Sequence, residues 1–198
     1  MMRTLVCMML ATLLLGSCAS TRAQDIAQQA AMLFDQGDSA DALPLYERAI
    51  ALAPENSTYR YNYLLALLDV NAKEVPSLAE QAFQQFTAHL QFLLVKARAH
   101  AQLAEYEQAL LTYDRILDLD IQNTDLMVAV MELAKSWGYR KNALALAEHL
   151  LLHHTKEKEA AAVIAELAPQ DSYLRDIAAY LTKEAEKALP QSPPIQSK

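Results

Sequence analysis

GDSADALPLYERAIALAP, residues 37–54, is the stretch on which the fold turns. Ala42, Tyr46 and Ala49 follow one another at steps of four and three, so they share one face of a helix. Gly37 stands ahead of that helix, where the chain must reverse and a residue free to take positive φ costs nothing. Pro54 closes the helix behind it. Further along, Gly138, Ala143, Ala147 and Leu150 repeat the pattern, with the glycine again five residues before the alanine. A third copy, Ala104, Ala109, Tyr113 and Ile116, keeps the spacing but places alanine at the turn. Ala109 and Ala143 are 34 residues apart, and Ala42 and Ala109 are 67 apart, one short of two such periods.

A 34-residue period with a small residue, an aromatic four later and an apolar residue three beyond that resembles the tetratricopeptide repeat (TPR). The resemblance implies an all-α, TPR-like solenoid of about three to four helical hairpins with C-terminal capping helices. In each hairpin the alanine lets two helices approach closely and the aromatic fills the gap to the next pair. The expected helices are Gln24 to Phe34 and Ala40 to Leu52, then Tyr59 to Val70 and Ser77 to Ala88. Leu90 to Leu103 and Tyr106 to Leu117 follow, then Asp125 to Trp137 and Lys141 to Leu152. The second repeat is the weak one: Asn71 to Pro76 reads as a long break, and its alanine, Ala79 or Ala82, falls out of step. Glu157 to Leu167 and Ser172 to Leu189 are read as caps that cover the last apolar face.

Working outward to the N-terminus, Arg3 precedes an apolar run from Leu5 to Leu15, too short for the roughly 20 residues of a spanning helix. The run ends in Leu15-Gly16-Ser17-Cys18, which resembles the bacterial lipobox. That resemblance implies a signal peptide over residues 1–17 and cleavage before Cys18. It also implies diacylglycerol and a palmitate-type fatty acyl chain on Cys18, with no other cofactor. Residues 18–24 become a short tether, 25–189 the helical domain, and the Pro/Gln/Ser-rich residues 190–198 a disordered tail. In the lipoproteins it resembles, a residue other than aspartate after the cysteine, here Ala19, implies the outer membrane, facing the periplasm, within a diderm bacterial cell envelope; in a monoderm host the same sequence implies the outer face of the plasma membrane.

The 198-residue chain carries 17 Lys and Arg against 24 Asp and Glu, and loss of Arg3 with the signal peptide leaves a balance of −8. Such a chain repels nucleic acid and anionic lipid alike. With Cys7 in the signal peptide and Cys18 lipidated, no thiol is left for a disulfide, a metal or catalysis. The five histidines are His89, His100, His149, His153 and His154. His149 and His153 share a helical face with Glu157 a turn beyond, but the glutamate of a metalloprotease motif is missing between them. They read as solvent-facing residues that complement the negative end of a helix dipole, so no metal site is expected. No catalytic residues are expected, and the chain is read as a non-enzyme.

Binding is then the remaining class. The TPR frame implies a concave face lined by the first helix of each hairpin. It places Ala27, Ala31 and Phe34 there, then Tyr61, Leu65 and Leu68, then Arg98, Ala101 and Gln102, then Val128, Glu132 and Lys135. Phe34, Tyr61, Leu65, Arg98, Gln102, Glu132 and Lys135 are the candidate partner-binding residues. Of the tyrosines Tyr59, Tyr61 and Tyr63, the first and last share a face and are expected to pack, leaving Tyr61 exposed. The positions that hold a peptide carboxylate in chaperone-binding TPR proteins are Ala27, Ala31, Asn62, Gln91 and Val95 here; only Asn62 fits, so that ligand is not expected. The reading is a lipid-anchored scaffold for a peptide or protein partner in envelope assembly or secretion. The alternatives are an accessory lipoprotein binding a metal or small ligand, and a subunit that self-associates, for instance as a homodimer.

Overall fold

The computed structural model describes residues 20–170 and 172–188. The expected signal peptide, Cys18 and the tail over 190–198 lie outside the described residues. Ten helices are found among the described residues, and there is no strand among them. Helix α1 covers residues 20–35, α2 Ser39–Leu52, α3 Ser57–Asn71, α4 Val75–Gln85 and α5 Gln91–Gln102. Then come α6 Tyr106–Leu119, α7 Thr124–Ser136, α8 Arg140–Leu152, α9 Glu157–Leu167 and α10 Tyr173–Ala188. The chain divides into two compact units, Met1–Ile116 and Leu117–Lys198.

In the first unit α1 packs on α2 through Ile26, Ala27 and Ala30 on one side and Ala42, Tyr46 and Ala49 on the other. These residues are buried because they repeat every three or four positions and so form one stripe on each helix. The alanines admit the partner helix, and Tyr46 fills the space toward Ala66 of α3. Next in line, α3 packs on both α4 and α5, and α4 on α5. In the second unit α7 pairs with α8 and α9 with α10, while α9 also touches α7 and α8. The pair read as caps therefore continues the succession of hairpins. The fold is all-α and TPR-like.

The joints explain the glycines. Gly37 and Gly138 have φ of 89° and 83°, as the turns require, and Ala104 at the third turn is forced to 59°. All three close the preceding helix in the same way. The residue after the turn donates its N–H back five positions, Asp38 to Leu33, Glu105 to His100 and Tyr139 to Ala134, at 2.8 to 2.9 Å. The αL residue itself donates to the carbonyl three back, which makes these Schellman caps. His154, at φ 54°, builds a fourth between α8 and α9.

Two sequence expectations change here. Helix α1 begins at residue 20, four before Gln24, and Ala23 is buried, so part of the expected tether is helical. The Asn71 to Pro76 break is only three residues long, because α4 starts at Val75 and Pro76 sits in its first turn. Proline is tolerated there, where the missing N–H has no intrahelical partner anyway. With that start, Ala79 and Phe83 are both buried and four apart, the same pair as Ala42 and Tyr46. The second repeat is thus in step internally and displaced in sequence, since Ala79 lies 37 residues after Ala42 and 30 before Ala109. The 15 residues of α3 and the 11 of α4 account for the displacement.

Glu80 of α4 ties this unit together. Its carboxylate takes Lys96 of α5 at 2.8 Å and both of its oxygens take Arg115 of α6 at 2.9 and 3.0 Å. The Arg115 guanidinium also lies 4.9 Å from the centre of the Phe83 ring. Burial by itself would raise the Glu80 carboxyl, but the hydrogen bonds from Lys96 and Arg115 outweigh it and hold the group below its usual range.

Candidate partner-binding surface

Helix α5 is buried or half-buried along most of its length, and Arg98 and Gln102 are its exposed residues. They are one turn apart and so share a face. Gln102 donates from Nε2 to the Leu68 carbonyl of α3 at 3.3 Å. Arg98 makes no hydrogen bond or ion pair among the described residues, yet its charge reaches the buried Tyr113. Burial raises the Tyr113 phenol above its ordinary range, and the nearby Arg98 pulls it partly back. A guanidinium held on a rigid helix without an internal carboxylate is available to an incoming acceptor.

On α3, Tyr61 is half-buried rather than exposed. Its ring meets the Phe92 ring edge-on at 6.4 Å between centroids. Phe92 is fully buried and also stacks on Phe86 at 5.8 Å, with His89 6.3 Å away. Tyr61, Phe86 and His89 are thus three half-buried rings around one buried ring. Sequence reasoning misses this cluster, although the three-residue spacing of Phe83, Phe86, His89 and Phe92 is a visible signal. Tyr59 and Tyr63 pack as expected, the first against Ile26, Ala27 and Ala49, the second against Ala30, Ala42 and Tyr46. Burial raises the Tyr63 phenol, and the charge and hydrogen bond of Glu47, 3.3 Å away, add to it.

The other candidates are placed as follows. Leu65 is half-buried on α3. Phe34 packs against the core of the first hairpin, and Ala27, expected to line the groove, is buried in it. Glu132 and Lys135 belong to the second unit, where Lys135 bridges Glu132 at 2.7 Å and Glu166 of α9 at 3.2 Å. Those two carboxylates raise the Lys135 ammonium above its usual range. Lys135 therefore fastens α7 to α9. Tyr61 and Leu65 lie on α3, and Arg98 and Gln102 on α5, with Tyr61 meeting Phe92 and Gln102 reaching Leu68 between the two helices; Glu132 and Lys135 are a separate pair. Among the described residues, no group of three or more His, Cys, Asp and Glu could hold a metal ion. No described helix is long and apolar enough to cross a membrane.

No protein-family model and no curated protein matches the sequence. Solved structures do. A thermophilic TPR protein of Thermus thermophilus is similar at 20% identity and a TM-score of 0.52, over 81% of this chain and 99% of that one. MamA protein is similar at 16% identity and a TM-score of 0.57, over 85% of this chain and 91% of that one. A tetratricopeptide repeat protein of Parabacteroides merdae gives 17% and 0.56, over 83% and 74% respectively. At such identities the likeness is one of fold, and it agrees with the TPR-like hairpins described above.

Proposed function

We propose that this chain is a lipid-anchored scaffold of the cell envelope that binds a peptide or protein partner on the α3–α5 face and performs no chemistry itself. The observation that supports the reading is that α5 exposes Arg98 and Gln102 beside α3, whose half-buried Tyr61 and Leu65 lie on the helix that Gln102 reaches through the Leu68 carbonyl. An arginine and an aromatic set into an apolar surround are the residue types that anchor interfaces. Lipidation of Cys18, with diacylglycerol and a fatty acyl chain, would leave one residue between the anchor and the start of α1. More than one acyl chain makes such attachment effectively permanent, each buried CH₂ adding ~0.8 kcal/mol. The binding face then works close to the bilayer, in the outer membrane and facing the periplasm.

The test is affinity capture of the lipidated protein from membranes of its own host, with Arg98→Glu and Tyr61→Phe run beside the parent chain. Tyr61→Phe keeps the packing on Phe92, so a loss of partner reports the hydroxyl rather than a weakened fold. We expect a partner that Arg98→Glu loses and Tyr61→Phe weakens. Recovery of the same partner by both variants rejects this face. Self-association is the second reading, favoured by the exposed rings of Tyr173 and Tyr180 on α10. It gains if the chain captures only itself.

A further inference from the structure

The second unit contains a pair of imidazoles that the scaffold reading leaves unused. His149 lies in the last turn of α8, and His153 is the residue that ends it, its N–H still bonded to the His149 carbonyl at 3.1 Å. Helical spacing therefore persists through both, and four residues bring their side chains to one side of the helix. The ring centroids are 4.4 Å apart, inclined at 42°. Both rings line a hollow of about 330 Å³, which they share with Gln122, Thr124, Met127 and Thr155.

The other histidines of the chain are committed. His89 pairs with Gln91 at 3.2 Å, His100 with Glu105 at 2.7 Å and His154 with Glu157 at 2.9 Å. His149 and His153 make no hydrogen bond among the described residues, and each other is the ring contact they have. Sequence alone places them facing solvent; His153 is exposed and His149 half-buried, and both also line this one hollow.

We infer that His149 and His153 form a binding site for a borderline divalent cation, with Cu(II) preferred over Zn(II). Two imidazoles on one face, four residues apart, can each offer a nitrogen at roughly 2.0–2.1 Å to one ion. Gln122, Thr124 and Met127 line the same hollow and carry oxygen and thioether donors, and so does Thr155, whose hydroxyl donates to the Leu150 carbonyl at 3.3 Å. Nitrogen-rich donor sets favour Cu(II) over Zn(II) in the usual affinity order. The site also lies at the negative end of the α8 dipole, where a cation is favoured. With two imidazoles and no third histidine or carboxylate among the residues lining the hollow, it keeps open positions for water or for a ligand from another molecule. It is an exchangeable site rather than a closed structural one.

The experiment uses the full chain in detergent, purified without a histidine tag and titrated with CuCl₂ or ZnCl₂ alone by calorimetry. One equivalent of Cu(II) should bind, Zn(II) more weakly, and Cu(II) should raise the melting temperature. His149→Gln and His153→Gln should each weaken Cu(II) binding by at least about tenfold, since even a change behind a metal ligand costs that much. His154→Gln should leave it unchanged. The paramagnetic resonance spectrum of the Cu(II) form should show coupling to two imidazole nitrogens, a readout that a change in folding stability does not supply. Absence of binding, binding retained in the His149→Gln/His153→Gln double variant, or a spectrum without imidazole coupling overturns the proposal.

Discussion

In the α1–α2 hairpin the chain reverses through Gly37 at φ 89°, whereas in the α3–α4 hairpin it passes through Ala72 and Glu74, both in the right-handed helical region. The packing behind the two joints is nevertheless alike. Ala42 and Tyr46 are buried in the first, Ala79 and Phe83 in the second, with the aromatic four residues after the alanine in each. The comparison teaches that these two hairpins keep the alanine and aromatic pair, while the joint and the helix lengths vary around it; in α8 the alanine is kept and Ala147 stands at the aromatic position. A repeat can lose its glycine and its sequence register and still bury the same surface.

The largest effects should come from that pair. Tyr46→Ala and Phe83→Ala should each destabilise by about 3–5 kcal/mol in denaturant unfolding, because each removes a large buried ring and leaves a cavity. A cost under about 1 kcal/mol for Phe83→Ala would mean that the second hairpin is held differently from the first, since surface changes fall in that range.

Backbone substitutions sharpen the contrast between joints. A Cβ at Gly37 would meet nothing within 4 Å, so the cost of Gly37→Ala is conformational alone, about 1 kcal/mol. Ala104→Gly should be stabilising by about 0.5 kcal/mol, because alanine there is held at positive φ. Ala72→Gly, in the right-handed joint, should instead destabilise by about 0.5–1 kcal/mol. Thermal melts that gave both alanine-to-glycine changes the same sign would contradict the two-joint account.

A comparably small effect concerns the ties across α4, α5 and α6. Glu80→Gln should cost about 0.5–1 kcal/mol at neutral pH, as a partly exposed ion-pair network does. Its carboxyl is lowered in the folded state, so the contribution is full above the unfolded value of about 4.3 and disappears as pH falls through the lower folded one. The parent and the variant should therefore converge in stability in acid. A difference that stays constant from neutral pH into that range would assign the effect to packing.

Much of this fold was legible in the sequence because its punctuation is local. Gly37 and Gly138 are the two glycines after Gly16, and both mark turns. Helix α9 has the expected limits, and α2 begins one residue early. What misleads is also local: Pro76 reads as a break until it is known to lie in a first turn, and a fixed 34-residue period hides Ala79 and Phe83. The Asn56 and Asn123 caps, each 14 residues after a repeat alanine, are a regular signal left unread. They accept hydrogen bonds from the first-turn N–H groups of α3 and α7.

The site was harder to read, for a physical reason. Helical periodicity assigns a face within one helix and is silent about what a neighbouring helix brings. Arg98 stands out as the exposed charge of α5, whose other cation, Lys96, is taken by Glu80. Tyr61 looks exposed because Phe92, which meets it, lies 31 residues away, and Lys135 looks available because Glu166 lies equally far on.

Site-specific photocrosslinking in host cells tests the central claim most directly, with a photoreactive residue at position 98, at 102, or at the exposed Arg48 of α2 as the control. The account predicts one partner adduct shared by positions 98 and 102 and absent at 48. Equal adducts at all three positions, or adducts at 48 alone, would contradict it.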